Sequence, residues 1–163
     1  MTVPRRSRYF SRRGAASGFS MIEVLVALVV LAIGLLGFAL LQTMNLRFTQ
    51  SANYRTQATN LAYDLLDQMR ANRYQAAWYA ESNGASFNAG DVTNIECSRP
   101  IGAVTIQASS DRWKCQVVRV LGPSASADVT YNDGDVTVAI SWGDHRWEEG
   151  NTDLTEFSLT TRL

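Results

Sequence analysis

Histidine occurs once in the 163 residues, cysteine twice and proline three times, with no proline between Pro4 and Pro100. One histidine and two cysteines are too few for the usual four-ligand zinc centres. His145 lies between Asp144 and Arg146 on an expected loop. Spacing brings it neither a nucleophile nor an orienting carboxylate, so no catalytic residue, enzyme activity, metal or cofactor is read from the chain. Asp133-Gly134-Asp135 offers oxygen atoms to calcium, but two acids around a glycine read first as a turn. Acids are missing from the first 18 positions, where every charge is an arginine: Arg5, Arg6, Arg8, Arg12 and Arg13. After Gly18 stand ten basic residues against 15 acids, a net −5 beneath an overall balance of zero. That balance argues against nucleic-acid binding by the body of the protein. Charge is missing altogether from Val24 to Leu41, eighteen residues reading VLVALVVLAIGLLGFALL.

That run, extended by Phe19, Met21 and Ile22, approaches the roughly 20 apolar residues that span a bilayer. The arginines precede it, which predicts a single pass with a cytoplasmic N-terminus and an outer, periplasmic C-terminal body. Cys97 and Cys115 fall in the outer part, where an oxidising compartment would close them into a disulfide; two buried thiols are the alternative. A secretory signal places its small-residue cleavage site after the apolar segment. Here Ala15-Ala16-Ser17-Gly18 comes before it, and Arg5-Arg6 or Arg12-Arg13 as a twin-arginine signal meets the same objection. The run is therefore expected to be retained, with Glu23 alone at its mouth.

The stretch Gly18-Phe19-Ser20-Met21-Ile22-Glu23, followed by Val-Leu-Val-Ala-Leu, resembles the N-terminal signature of type IV prepilins and type II secretion pseudopilins. The resemblance covers residues 12 to 41. It implies a basic leader, residues 1–18, cut after Gly18 by a membrane prepilin peptidase that then methylates Phe19. It implies that Glu23, fifth in the mature chain, meets the Phe19 amine of a neighbouring subunit in a filament. Physical chemistry agrees. Phe19 and Glu23 are one turn apart if the helix begins at Phe19, and an acid in a first turn suits the helix dipole. An opposite-charge pair in an apolar bundle sets register. Gly34 and Gly37 are read either as sites of close packing or local unwinding, or as ordinary membrane-helix glycines. Many major pilins carry a proline in this helix; this chain has none there, so a proline break does not transfer.

No glycine or proline occurs from Gln42 to Arg73, and Ala58, Leu61, Ala62, Leu65, Leu66 and Met69 form one helical stripe. A helix from Phe19 to Arg73 would be about 80 Å long, its first half (19–41) in the membrane and its second half amphipathic. Residues 74–108 read as a long surface connection with turn signals at Asn83-Gly84 and Gly90-Asp91, and with a short element at Val104–Ile106. Residues 109–123 fit either strand or helix. Spacing of Trp113, Val117, Val120 and Leu121, a cap among Ser109, Ser110 and Asp111, and a stop at Gly122-Pro123 favour the helix. Ala127–Tyr131, the turn Asn132-Asp133-Gly134, the alternation Val136, Val138, Ile140, Trp142, and Phe157, Leu159, Thr161 predict a three-stranded antiparallel meander. The fold expected is α+β and pilin-like, a long N-terminal helix packed on a small antiparallel sheet. Its periplasmic head is residues 42–163. The polar, acidic loop Gly143–Asp153 with Trp147 is either a contact surface or a solvated loop.

Within this class the run EVLVALVVLAIGLLGFALLQ is most similar to minor pilins of the pilus-modification (PilV) group. That resemblance implies a subunit that primes or modifies a type IV pilus. It implies partners in other minor pilins, the major pilin, the inner-membrane assembly platform and the bilayer, and a path from the bacterial inner membrane to the pilus and cell surface. A minor pseudopilin of type II secretion shares the leader and the apolar run. A plain membrane-anchored periplasmic protein is the third reading.

Overall fold

The computed structural model describes residues 18–93, 97–144 and 153–163. Two compact units divide the chain, the first ending at Met44 and the second running from Asn45 to Leu163. The expected boundary at Leu41 lies three residues earlier.

Helix α1 spans Met21–Ala71. It begins two residues later than expected because Ser20 caps it. The Ser20 carbonyl accepts the first helical bond from the Val24 N–H at 3.3 Å. Its hydroxyl accepts the Glu23 N–H at 3.2 Å, which satisfies a donor that an uncapped end leaves orphaned. In the first unit every side chain of α1 is exposed, from Met21 to Met44. The helix runs unbroken through Gly34 and Gly37, so neither unwinds it, and a Cβ added at either would meet nothing within 4 Å. Further along, Ala58, Ala62, Leu65, Leu66 and Met69 are fully buried and Leu61 is half-buried. The stripe read from their spacing is the face α1 gives to the core of the second unit.

The segment expected to be a surface connection is partly core. A 3-10 helix, Arg73–Ala80, buries Ala76 and Tyr79. The chain then folds back so closely that a Cβ on Gly84 would lie 2.2 Å from the Tyr79 carbonyl oxygen. Only glycine fits there, and the Ala85 N–H donates to that same oxygen at 2.7 Å. An eight-residue 3-10 helix has no long apolar period, which is why the sequence pattern hid it.

Helix α2 spans Ile106–Leu121. The ambiguity between strand and helix over residues 109–123 resolves to helix. The N-cap is Thr105, whose hydroxyl accepts the Ala108 N–H at 3.2 Å, and not Ser109, Ser110 or Asp111. Val104–Ile106 is thus the entry to this helix and not a separate element. Its Gly122 cap donates to the Val118 carbonyl at 2.8 Å. Trp113 is fully buried; its indole N–H donates to the Leu61 carbonyl at 2.8 Å and its ring meets Phe87 edge-on.

Cys97 and Cys115 form a disulfide with Cα atoms 5.3 Å apart, the first of the two alternatives above. It ties α2 to the preceding connection. Replacing both cysteines with serine is expected to lower stability by about 2–4 kcal/mol. Thermal melts of the variant, and of the native chain with and without reductant, check this. Identical melts in all three would remove the clasp from the stability of the unit.

Strands β1 (Ser126–Asn132), β2 (Asp135–Gly143) and β3 (Leu154–Arg162) form an antiparallel sheet in the order β1-β2-β3. Asn132 pairs with Asp135 across a two-residue turn in which Asp133 and Gly134 have φ of 47° and 90°. Both are the positive angles a tight hairpin requires. Val129, Val136, Val138, Ile140 and Trp142 are buried on the inner face, joining the helices in one core. Phe157 and Leu159 of β3 occupy the face expected but are only half-buried, since β3 is an edge strand. The outer edge of β1 is covered. Phe87 exchanges two backbone bonds with Ala127, at 2.9 and 3.0 Å, and the Ser86 hydroxyl accepts the Val129 N–H at 2.9 Å. Edge groups met in this way are closed to further strands.

Of the loop Gly143–Asp153, read above as a contact surface or a solvated loop, Gly143 belongs to β2 and Asp144 and Asp153 are the other residues described. Asp144 is buried, 4% exposed, and its carboxylate accepts a hydrogen bond from the Ser51 hydroxyl of α1. His145 and Trp147 lie outside the described residues.

Candidate functional site

The residues singled out at the N-terminus lie within one turn of the start of α1. Gly18 and Phe19 precede the Ser20 cap in non-helical backbone. Phe19 is 85% exposed, and a Cβ on Gly18 would touch nothing within 4 Å. A peptide bond in this position is free of the helical ladder, the state a peptidase needs in order to grip a chain. Phe19 is therefore not helical in the chain that retains Gly18, and the one-turn relation between Phe19 and Glu23 does not exist there. The reason is the Ser20 hydroxyl, which spends itself on the Glu23 N–H.

Glu23 sits three residues after the cap, the position of the acid in a Ser-x-x-Glu capping box. Only the forward half of that box is made: the Glu23 backbone N–H donates to both the hydroxyl and the carbonyl of Ser20, while no bond runs from the Ser20 N–H back to the Glu23 carboxylate among the described residues. The carboxylate itself forms no ion pair or hydrogen bond among the described residues. It lies in the first turn, where the helix dipole favours it, and at the head of a run with mean hydropathy 3.1 over 18 residues. Ser20 is the capping residue that the sequence reading passed over. The signal was present: a serine three residues before an acid at the head of an apolar run.

Residues 13–39 match the family described as the prokaryotic N-terminal methylation motif. The chain carries a type IV prepilin-like motif. Gly18, Phe19 and Glu23 all fall inside the matched segment. Such a motif implies processing by prepilin peptidase and assembly with pilins, and together with a helix long and apolar enough to cross a membrane it fits membrane anchoring. Comparison with curated proteins and with solved structures finds no match.

The other residues weighed for chemistry do not gather. Asp133 lies in the hairpin turn and Asp135 follows it, and among the described residues no three His, Cys, Asp or Glu side chains stand together as a metal site would need. Cys97 and Cys115 are spent on each other. The Tyr79 phenol is displaced from its ordinary pKa. Burial raises it above its ordinary value, and a hydrogen bond from the Asn72 amide lowers it in part, so the phenol stays neutral throughout the physiological range.

Proposed function

We propose that the protein is a minor pilin of a type IV pilus, of the pilus-modification (PilV) kind, cut after Gly18, methylated on Phe19 and assembled through Glu23. The observation that carries this reading is the unpaired Glu23 carboxylate, one turn into an apolar helix whose N-terminal segment matches the methylation motif. A charge at mid-bilayer costs about 2.5–3.5 kcal/mol on insertion scales and less near the interface. No described group of the same chain offsets that cost. Cleavage after Gly18 would create an amine on Phe19. A cation at a helix N-terminus opposes the dipole, so the new amine is as much in need of an opposite charge as Glu23 is. Pairing each amine with the Glu23 of a neighbour satisfies both, and in a low-dielectric bundle the pair is strong enough to fix axial register.

In this reading the protein performs no reaction of its own. Its head is periplasmic while it waits in the inner membrane and lies on the filament surface after extraction. The test is mass spectrometry of filaments sheared from the native host. A peptide that begins with methylated Phe19 is expected among them. Its presence in the envelope alone would favour the pseudopilin, and a mature chain that starts at Met1 or Thr2 would sink both and leave a plain anchor.

Glu23→Ala is expected to leave insertion intact, because it removes a charge from an apolar helix. Recovery in sheared filaments should fall about tenfold, the equivalent of losing about 1.4 kcal/mol of pairing. Equal recovery of Glu23→Ala and wild type would remove the charge-pair mechanism.

A further inference from the structure

A cavity of about 370 Å³ opens in the second unit between the 3-10 helix and the first turn of α2. Its size lies within the roughly 300–1,000 Å³ of small-molecule sites. The apolar part of its wall is made by Trp78, Val104 and Ile106. Trp78 is 53% exposed, so about half of its surface is left uncovered where the 3-10 helix borders the cavity. The polar part is made by Asn72, Gln75, Thr105 and Ser109, all amides and hydroxyls.

The polar atoms are partly committed, and the commitments leave defined groups over. The Asn72 amide nitrogen donates to the Gln68 carbonyl and to the Tyr79 hydroxyl, at 3.1 and 3.2 Å, which leaves its carbonyl oxygen as an acceptor. The Thr105 hydroxyl accepts from Ala108 and keeps its own proton to donate. The Gln75 amide and the Ser109 hydroxyl make no side-chain bond among the described residues and supply both donors and acceptors. No charged side chain lines the cavity. Without a charged side chain the cavity lacks the usual partner for a cation or metal ion, and an anion would find only neutral donors and the N-terminal end of α2. The cavity suits a neutral polyhydroxylated ring, whose C–H face lies on an indole while its hydroxyls exchange hydrogen bonds with amides.

We propose that this cavity is a binding site for a neutral sugar residue, with Trp78 as the stacking platform and Asn72, Gln75, Thr105 and Ser109 as hydroxyl partners. The site is independent of the pilin reading, since it uses only the second unit and requires neither processing nor assembly.

The test uses the full chain in lipid nanodiscs and saturation-transfer NMR. The probes are methyl β-galactoside, methyl α-glucoside and N-acetylglucosamine, with methyl glucuronate as the charged comparator. Saturable transfer to the ring protons of at least one neutral sugar is expected, and Trp78→Ala should weaken it about tenfold. Tyr63→Ala, which removes an exposed aromatic that does not line the cavity, should leave it unchanged. Gln75→Ala removes a solvent-exposed amide without touching the apolar wall. It should weaken binding severalfold even if Trp78→Ala disturbs the 3-10 helix. Transfer no greater than to empty nanodiscs, transfer that survives both Trp78→Ala and Gln75→Ala, or a preference for the glucuronate would each overturn the proposal.

Discussion

In a host that processes prepilins, Gly18→Leu is expected to abolish processing outright. The variant should keep its arginine-rich leader, migrate above wild type on a denaturing gel, and be absent from sheared filaments. The physical ground is local. Gly18 lies in non-helical backbone with open space where a side chain would go, so the fold does not demand glycine there. Neither a positive φ nor a close neighbour explains it. What remains is the approach of another molecule to that bond, and a leucine Cβ and branch stand in its way. Because the substitution meets nothing among the described residues, insertion and the melting of the second unit should be unchanged. Unchanged mobility and unchanged location together would mean that processing is no part of this protein's biology, and the plain-anchor reading would then stand.

The largest effect on stability is expected from Trp113→Ala. Trp113 is fully buried, donates to the Leu61 carbonyl across the α1–α2 contact, and packs edge-on against Phe87. Truncating a buried tryptophan costs about 3–5 kcal/mol, the sum of lost transfer energy and the cavity left behind. For a unit of this size that is a fall in melting temperature of roughly 10–20 °C. Trp113→Phe keeps most of the volume and loses the hydrogen bond, for about 1 kcal/mol. Thermal melts of the two variants separate packing from bonding. If they lose the same amount, the indole N–H and not the ring area holds the helices together; a loss below about 1 kcal/mol for the alanine variant would show that the site collapses to fill its own cavity.

The two regions also differ in how far local pattern could lead. The stripe Ala58, Ala62, Leu65, Leu66, Met69 and the alternation Val136, Val138, Ile140, Trp142 were readable because a helix and a strand each impose a fixed period on one-sided burial. The Asp133-Gly134 turn was readable because few residues tolerate its backbone angles. The 3-10 helix, the start of α2 at Ile106 and the Phe87 strap on β1 were not. The strap depends on a distant partner, since Ser86 and Phe87 meet β1 some forty residues on; the fold-back of Gly84 onto the Tyr79 carbonyl and the Thr105 cap of α2 are local but carry no apolar period. The half-burial of Phe157 and Leu159 likewise follows from strand order, which alternation alone does not give.

The sequence by itself determined the order of basic segment, Gly18-Phe19 junction, lone acid and apolar run, because hydropathy, charge and a short recognition motif act through consecutive residues. It also determined that an α+β head follows. The start of α1 at Met21, which leaves Phe19 outside the helix, is local too, set by the Ser20 cap on Glu23. Only the tertiary structure chose the Cys97–Cys115 disulfide over two buried thiols, buried Asp144 beside Ser51, and set Trp78 at a cavity lined with amides and hydroxyls. Those outcomes turn on which surfaces meet once the chain has folded back on itself, and no local period or propensity carries that information.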